Sequence, residues 1–138
     1  MPSRLESPSD AEAAFYEAFE AADFAAMRAV WADVRGIICI HPLGEPLVGP
    51  KAVLNSWETI FEKGPEMHFR VRVLQQTRTE DIATHLVSEH IRVIGETEER
   101  PPVLATNIYR YCSGGWRMIV HHASPIADRR REFRGQVH

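Results

Sequence analysis

The hydrophobic pattern changes from a helical period to a strand-like period at Met67, and this change constrains the fold more than any other feature. From that point apolar and polar residues alternate, as they do in strands with one buried face. The pattern predicts four strands with short connections, at residues 67–78, 82–94, 102–112 and 116–124. Successive strands joined by short loops pair as an antiparallel meander.

Three helices are predicted ahead of these strands. Ser9, with Glu12 three residues later, has the spacing of a capping box and begins the first helix. Asp23 is expected to cap a short second helix, and Pro50, a residue tolerated in the first turn, begins the third. Helices followed by a meander indicate an α+β domain in which the helices cover one face of the sheet.

The composition fits a single globular domain with its own core. The chain has 138 residues, of which 44% are hydrophobic and 25% charged. We place the domain at residues 9–126 and expect residues 1–8 and 127–138 to be flexible termini. A net charge of −3 argues against nucleic-acid and membrane partners. The chain shows neither a signal peptide nor an apolar run of spanning length, so a cytoplasmic protein with reduced thiols is predicted.

The turns between the four strands predict which residues lie opposite one another. A two-residue turn at Gly114-Gly115 places Asn107 opposite His122. The other two connections place Glu89 opposite Asn107 and Val71 opposite Glu89. Directly opposed residues share a face of the sheet. The register therefore predicts a polar row of Glu89, Asn107 and His122 on an otherwise apolar inner face.

Two interpretations of this row remain open. A satisfied network of buried polar groups would fix the register of the strands. Alternatively, the row is the polar end of a ligand pocket, since pockets are mostly apolar with a few convergent polar groups. Neighbouring residues of a strand point to opposite faces, so His121 is expected on the outer face. His85 and Ser124 are expected at the edges of the row.

Several segments resemble the SnoaL-like group of the nuclear transport factor two-like, or ketosteroid isomerase-like, superfamily. The resemblance covers residues 9–126 and implies a cone-shaped domain, in which a strongly curved antiparallel sheet wraps around three N-terminal helices and encloses a pocket. It also implies a homodimer formed through the outer face of the sheet. The segments that carry it are FYEAFEAADFAAMRAVWA, CIHP, LVGPKAVLNSW, SEHI, ATNIYRY and GGWRMIVHHASP. The pocket that the resemblance implies is lined by Trp31, His41, Trp57, Glu89, Asn107 and His122, and Tyr109 of the inner face is added to it.

The candidate catalytic residues are His122, Asn107 and Glu89. Histidine titrates near pH 6.5, which suits His122 to acid/base catalysis. Asn107 would fix the imidazole or donate to an oxyanion, and Glu89 would orient the pair or act as the base if burial raises its pKa. The aspartate base and oxyanion donors of the ketosteroid isomerases have no clear counterpart facing this pocket, so their specific reaction does not transfer.

The functional hypothesis is a small-molecule lyase or isomerase that acts on a small apolar carbonyl compound without a cofactor. Trp31, His41, Trp57 and Tyr109 are the predicted substrate-binding residues. The alternative is a non-catalytic ligand-binding or dimerisation domain with the same fold. Both hypotheses involve a small-molecule ligand or a second copy of the chain as the partner.

Two rival chemistries receive less support from the sequence. The chain has seven histidines, but it lacks the H-E-x-x-H and C-x-x-C spacings, so no metal site is predicted. The groups that would have to converge on a metal are His41, His85, Glu89 and His122. Nucleophilic catalysis by Ser56 or Ser124 lacks a G-x-S-x-G context.

Overall fold

Three helices pack on one face of an open six-stranded sheet in this computed structural model, which describes residues 5–112 and 114–126. The helices are α1 (Pro8–Ala21), α2 (Phe24–Val30) and α3 (Pro50–Lys63). The strands are β1 (Ile38–Ile40), β2 (Leu47–Val48), β3 (Met67–Arg78), β4 (Ile82–Val93), β5 (Val103–Cys112) and β6 (Gly115–Pro125). None of the helices in these two stretches is long and apolar enough to span a membrane.

The strand order in the sheet is β2-β1-β6-β5-β4-β3. Strands β3 to β6 form the predicted antiparallel meander. The short strand β1 adds a parallel pairing to β6, so the sheet is mixed. The prediction of an α+β domain with helices ahead of a meander is confirmed.

The first helix begins earlier than the sequence indicated. Ser7, not Ser9, is the N-cap, and its side chain accepts a hydrogen bond of 3.0 Å from the backbone N–H of Asp10. Leu5 is buried, and its carbonyl accepts from the N–H of Trp116 at 2.8 Å. Residues 5–8, which were expected to be flexible, thus include a helix cap and a buried contact with the last strand. The other parts of the expected flexible termini, residues 1–4 and 127–138, lie outside the described residues.

The starts of the other two helices are as predicted. Asp23 caps α2 by accepting from the N–H of Ala26 at 3.0 Å, and Pro50 occupies the first turn of α3. Helix α2 ends at Val30 because Trp31 has extended backbone angles. Trp31 then bridges to Met118, which attaches the end of α2 to the last strand.

Register shifts in two strand pairs decide which side chains face the helices. Between β3 and β4 the shift falls at Leu74, and Val71 lies opposite Glu89 as predicted. In β6 the extra residue is Ile119, because Met118 pairs with Tyr109 and Val120 pairs with Ile108. An extra residue in one strand inverts the alternation of faces beyond it.

Aromatic side chains fill much of the space between the helices and the sheet. Phe15 of α1 is fully buried and contacts Tyr16, Trp31 and Trp57 edge to face, at centroid distances of 4.8, 6.4 and 5.5 Å. Trp57 is also fully buried and reaches Phe19 at 4.7 Å. Edge-to-face pairs add about 0.5–1.5 kcal/mol each beyond area burial, so this cluster fixes α1 against α3.

Candidate functional site

The histidine that points into the interior is His121, and the prediction for His122 is wrong. His121 is 1% exposed, whereas His122 is exposed on the outer face. The predicted turn at Gly114-Gly115 is not the one that forms, since strand pairing begins with Cys112 opposite Gly115. The extra residue at Ile119 then changes the face, so that Asn107 lies opposite His121.

Glu89 and Asn107 point into the interior as predicted, but they are not directly opposed. Asn107 faces His85 across the strands, and Glu89 faces Val103. The predicted register of β4 against β5 is wrong by four residues, because Glu89 was expected opposite Asn107. A shift by an even number of residues leaves every side chain on its predicted face. Both side chains are buried.

A fourth residue, Tyr16 of α1, joins these three into a buried cluster that we call the interior quartet: Tyr16, Glu89, Asn107 and His121. Asn107 Nδ2 donates to the Tyr16 hydroxyl at 3.0 Å, and this hydroxyl donates to Glu89 Oε2 at 2.6 Å. Asn107 Oδ1 and His121 Nδ1 are 2.6 Å apart. Because Asn107 Oδ1 is only an acceptor, His121 Nδ1 carries the proton. The hydrogen bonds thus run in one direction, from His121 to Glu89.

Burial controls the charge of Glu89. The side chain is almost inaccessible to water, and this desolvation raises the pKa of its carboxyl group to about 7, although the hydrogen bond from Tyr16 acts in the opposite direction. Burial, and then the nearby carboxylate of Glu89, also holds the pKa of the Tyr16 hydroxyl well above its usual value. Tyr16 therefore remains a hydrogen-bond donor across the physiological range.

His121 is neutral in the folded protein at neutral pH. Burial lowers its pKa to about 3, with further contributions from His41 and His122. Its Nε2 atom lies 4.0 Å from Glu89 Oε2, at the limit of ion-pair distance. Since burial favours the neutral form of both groups, we treat this contact as polar and not as a salt bridge.

A second buried cluster lies beside the quartet. The carboxylate of Glu12, one turn before Tyr16 on α1, contacts His85 Nδ1 at 2.8 Å. The ring of Tyr109 packs against His85 at 5.2 Å. Glu12 Oε1 and the Tyr109 hydroxyl are buried atoms that lack a hydrogen-bond partner among the described residues. His85, expected at an edge of the polar row, thus forms its own pair with α1.

His41 lies half-buried at the margin of the interior. Its Nε2 is 3.0 Å from Ser56 Oγ, and Ser56 donates its own proton to the Val53 carbonyl at 2.6 Å. Ser56 therefore accepts from His41, so His41 cannot remove the serine proton through this contact. Burial, and then Glu89, raises the pKa of the neighbouring Cys39 thiol to about 12. The geometry therefore supports neither Ser56 nor Cys39 as a nucleophile.

The other predicted substrate-binding residues are core residues in this structure. Trp31, Trp57 and Tyr109 are all buried. The Trp57 ring lies near both His41 and His121, with centroid distances of 4.9 and 6.0 Å. Glu89, Asn107 and His121 line none of three surface cavities found in the described part of the chain.

The rival predictions can be compared with the same structure. Across residues 5–112 and 114–126, no group of three or more metal-ligating side chains converges. Ser124 is exposed and does not join the polar row. Burial lowers the pKa of His41, and its side chain contacts Ser56 and Trp57.

Sequence reasoning missed Tyr16, Glu12 and His121, although signals for them existed. Glu12 and Tyr16 lie on the same apolar stripe of the helix as Phe15, and this spacing indicates that both polar side chains are buried. In the last strand, Ala123 shares a face with His121, while Ser124 shares one with His122. The apolar alanine and the polar serine favour His121 as the inward residue.

The chain resembles several known proteins over most of its length. The SnoaL-like domain matches residues 9–128. A protein from Thiobacillus denitrificans, provisionally named a calcium/calmodulin-dependent protein kinase type II association domain, is 40% identical with a TM-score of 0.87, covering 91% of this chain and 100% of that one. A provisionally named dehydratase of the NTF2-like family from Streptomyces avermitilis is 31% identical with a TM-score of 0.76, covering 86% and 92%.

A plant relative is longer than this chain. The F-box protein SKIP8 of Arabidopsis thaliana is 29% identical over 99 residues, which is 72% of this chain and 41% of that protein. The chain thus spans less than half of this curated relative. The structural similarities confirm the predicted cone-type α+β fold. With the match over residues 9–128, they show that the chain belongs to the SnoaL-like domain family of NTF2-like proteins.

Proposed function

We propose that the domain binds a small apolar carbonyl compound in its interior and transfers a proton with Glu89 as the base. The observation that carries this proposal is the buried Glu89 carboxyl group, whose pKa of about 7 lies at the end of a directional hydrogen-bond chain. A general base is most effective when its pKa is near the working pH. A carboxyl group raised by burial meets that condition.

The quartet contains the other groups that such a step requires. The base would remove a proton from the carbon next to the carbonyl and return it to another position. The Asn107 amide donates one N–H to Tyr16, and its second N–H is a donor of the kind that stabilises an enolate oxygen. The single proton of the Tyr16 hydroxyl is donated to Glu89. The acid/base role that the sequence suggested for His122 does not pass to His121, because the pKa of His121 is about 3. Its role in the proposal is to hold Asn107 in position. The step requires no cofactor.

Access to the quartet would pass between β1 and α3. His41 is half-buried there, and the Trp57 ring lies near both His41 and His121. A ligand of this class would therefore contact His41 and Trp57, and the Trp57 ring would have to turn for the ligand to reach Glu89. The Streptomyces avermitilis relative, provisionally named a dehydratase, supports proton-transfer chemistry on this fold. A reducing, cytoplasmic setting remains part of the proposal, since Cys39 and Cys112 are free thiols.

The test does not need a known substrate. A panel of small ketones, aldehydes and enones is incubated with the protein in D₂O, and exchange of the hydrogen next to the carbonyl is followed by NMR. We expect one or more compounds to exchange, and Glu89→Gln to slow that exchange by about 100-fold or more. Glu62→Gln, an exposed position on α3, is the matched control and should exchange normally. Exchange that is unchanged in Glu89→Gln contradicts the proposal.

A second candidate function, self-association, is favoured by a different observation. Half-buried apolar side chains lie on the sheet face opposite the helices, where Ile108 and Val120 are directly opposed. Leu86 and Leu104 lie on the same face. The Thiobacillus denitrificans relative carries an association domain in its provisional name. We infer that this outer face pairs two copies of the chain, as the family resemblance implied.

Light scattering of the purified chain tests the dimer. We expect the mass of a dimer for the unaltered protein and that of a monomer for Ile108→Glu, because a buried unpaired carboxylate is strongly unfavourable. Val48→Glu, at an exposed apolar residue on β2, should leave the mass unchanged. A monomeric unaltered protein, or a dimeric Ile108→Glu variant, is the contrary result.

A further inference from the structure

We propose that a basic cluster on the outer face of the β3–β4 edge binds a phosphate-type oxyanion carried by a small molecule. The cluster consists of His68, Arg70, His90 and Arg92, and it borders a cavity of about 420 Å³. Thr97 and Glu99, from the segment after β4, form the other side of this cavity. The site goes beyond the proposed function, because these side chains point away from the interior quartet.

The register of the two strands brings the four groups together. His68 is directly opposite Arg92, and Arg70 is directly opposite His90. Opposed side chains on a sheet have Cβ atoms about 4.5–5.5 Å apart, so each arginine lies beside a histidine ring. An oxyanion between the strands could accept hydrogen bonds from both side chains of such a pair. The pattern of β3 and β4 therefore concentrates positive charge in one open position at the edge of the sheet.

Neighbouring groups hold both imidazole rings in place. His68 Nδ1 is 2.9 Å from Glu20 Oε1, which also accepts from the Phe69 N–H at 3.0 Å. His90 Nε2 is 3.1 Å from Ser88 Oγ. One nitrogen of each ring is thus occupied. The free Nδ1 of His90 can donate to an oxyanion when Ser88 donates to its Nε2, whereas the free Nε2 of His68 can donate only in the doubly protonated ring. The rings are oriented before any ligand arrives, which lowers the entropic cost of binding.

The two arginines of the cluster differ in whether a carboxylate lies beside them. Arg70 Nη2 is 3.6 Å from Glu99 Oε1, a long and exposed contact. Arg92, among the described residues, has no carboxylate oxygen within 4 Å. A guanidinium group donates two parallel hydrogen bonds to phosphate, which makes arginine the preferred residue for such ligands. Glu99 would compete with the oxyanion for Arg70, so its removal should strengthen binding.

Titration with inorganic phosphate at low ionic strength tests the site, with binding followed by calorimetry and by NMR of the histidine rings. We expect saturable binding by the unaltered protein. Arg92→Gln should weaken it about five- to tenfold, as expected for a lost charged hydrogen-bond pair. Glu99→Gln should tighten it by about two- to fivefold, in the range of an exposed ion pair.

The matched control for Glu99 is Glu96 in the same segment. Glu96 pairs with Arg100 at 2.9 Å and is not part of the cavity wall, so Glu96→Gln should bind phosphate as the unaltered protein does. Acetate, a planar anion of lower charge, should bind more weakly than phosphate. The inference is overturned if phosphate fails to bind, if Arg92→Gln binds equally well, if Glu96→Gln tightens binding as much as Glu99→Gln, or if acetate binds as tightly.

Discussion

Glu89 and His121 should give the stability of this protein two opposite dependences on pH. The folded pKa of Glu89 is raised from 4.5 to about 7, so its contribution is present at low pH and is lost as the pH rises to about 7. The folded pKa of His121 is lowered from 6.5 to about 3, so its contribution is present above pH 6.5 and is lost as the pH falls. Between pH 4.5 and 6.5, the unfolded chain therefore carries a proton on His121 and none on Glu89, whereas the folded protein carries the proton on Glu89 and not on His121.

The magnitudes follow from the two shifts. One pKa unit corresponds to about 1.4 kcal/mol, so Glu89 lowers the free energy of unfolding by about 3 kcal/mol as the pH rises from low pH to pH 7. His121 costs about 3 kcal/mol on acidification from pH 6.5 to 4.5, and about 5 kcal/mol by pH 3. Over the interval from about pH 4.5 to 7 the two contributions nearly cancel, so the unaltered protein should show little net effect from this pair.

Single substitutions should uncover the cancelling contributions. Relative to the unaltered protein, Glu89→Gln should lose about 3 kcal/mol between pH 7 and 4.5, because only the His121 contribution remains. His121→Gln should gain a similar amount over the same interval, and the double variant should again be nearly flat. Urea unfolding followed by tryptophan fluorescence at several pH values gives these differences, and Glu62→Gln is the surface control. Parallel pH profiles for Glu89→Gln and the unaltered protein would refute the assignment of a raised Glu89 pKa.

Four further outcomes can be measured on the same material. His121→Ala should destabilise by several times more than its neighbour His122→Ala, which should stay within about 0.5 kcal/mol of the unaltered protein; equal effects in urea unfolding would contradict the inward placement of His121. Tyr16→Phe should raise the apparent pKa of Glu89 and cost about 1–3 kcal/mol in free energy of unfolding, because Asn107 and Glu89 lose a buried partner; an unchanged titration, followed by NMR, would argue against the hydrogen-bond chain. Trp57→Ala should cost about 3–5 kcal/mol, whereas Val48→Ala on β2 should cost little, and similar midpoints for both would show that Trp57 is not part of a packed core. Cys39, with a thiol pKa of about 12 and a buried side chain, should react with a thiol reagent at pH 8 only after unfolding, and rapid labelling of Cys39 in the native protein would contradict its burial.

The alternating pattern predicted the meander well, but not its irregularities. Between β3 and β4 the assumed turn was wrong by one residue, and the shift at Leu74 compensated, so Val71 still faces Glu89. In β6 the extra residue at Ile119 was not compensated, and the inward histidine changed from His122 to His121. A bulge adds one residue without altering the composition of the strand, so a register drawn from turns alone cannot include it.

Tyr16 shows a second limit of the sequence. The periodic stripe of α1 indicates that Tyr16 is buried, but its partner, Glu89, lies 73 positions along the chain on β4. Which polar group of the sheet meets the tyrosine depends on how the helix docks, and no local pattern contains that information. The pairing of Glu12 with His85 follows from the same docking.

The short parallel pairing of β1 with β6 has a consequence for local unfolding. Strand β1 has only three residues, and its outer neighbour β2 has two, so few hydrogen bonds hold this edge of the sheet. Segments with few backbone bonds open at a lower free energy than the global transition. Amide protons at Ile38–Ile40 should therefore exchange with solvent faster than those in the centre of β4. Such openings would intermittently uncover His41 and Trp57 while the meander stays intact, and they are the kind of motion that the proposed access of a ligand to Glu89 requires.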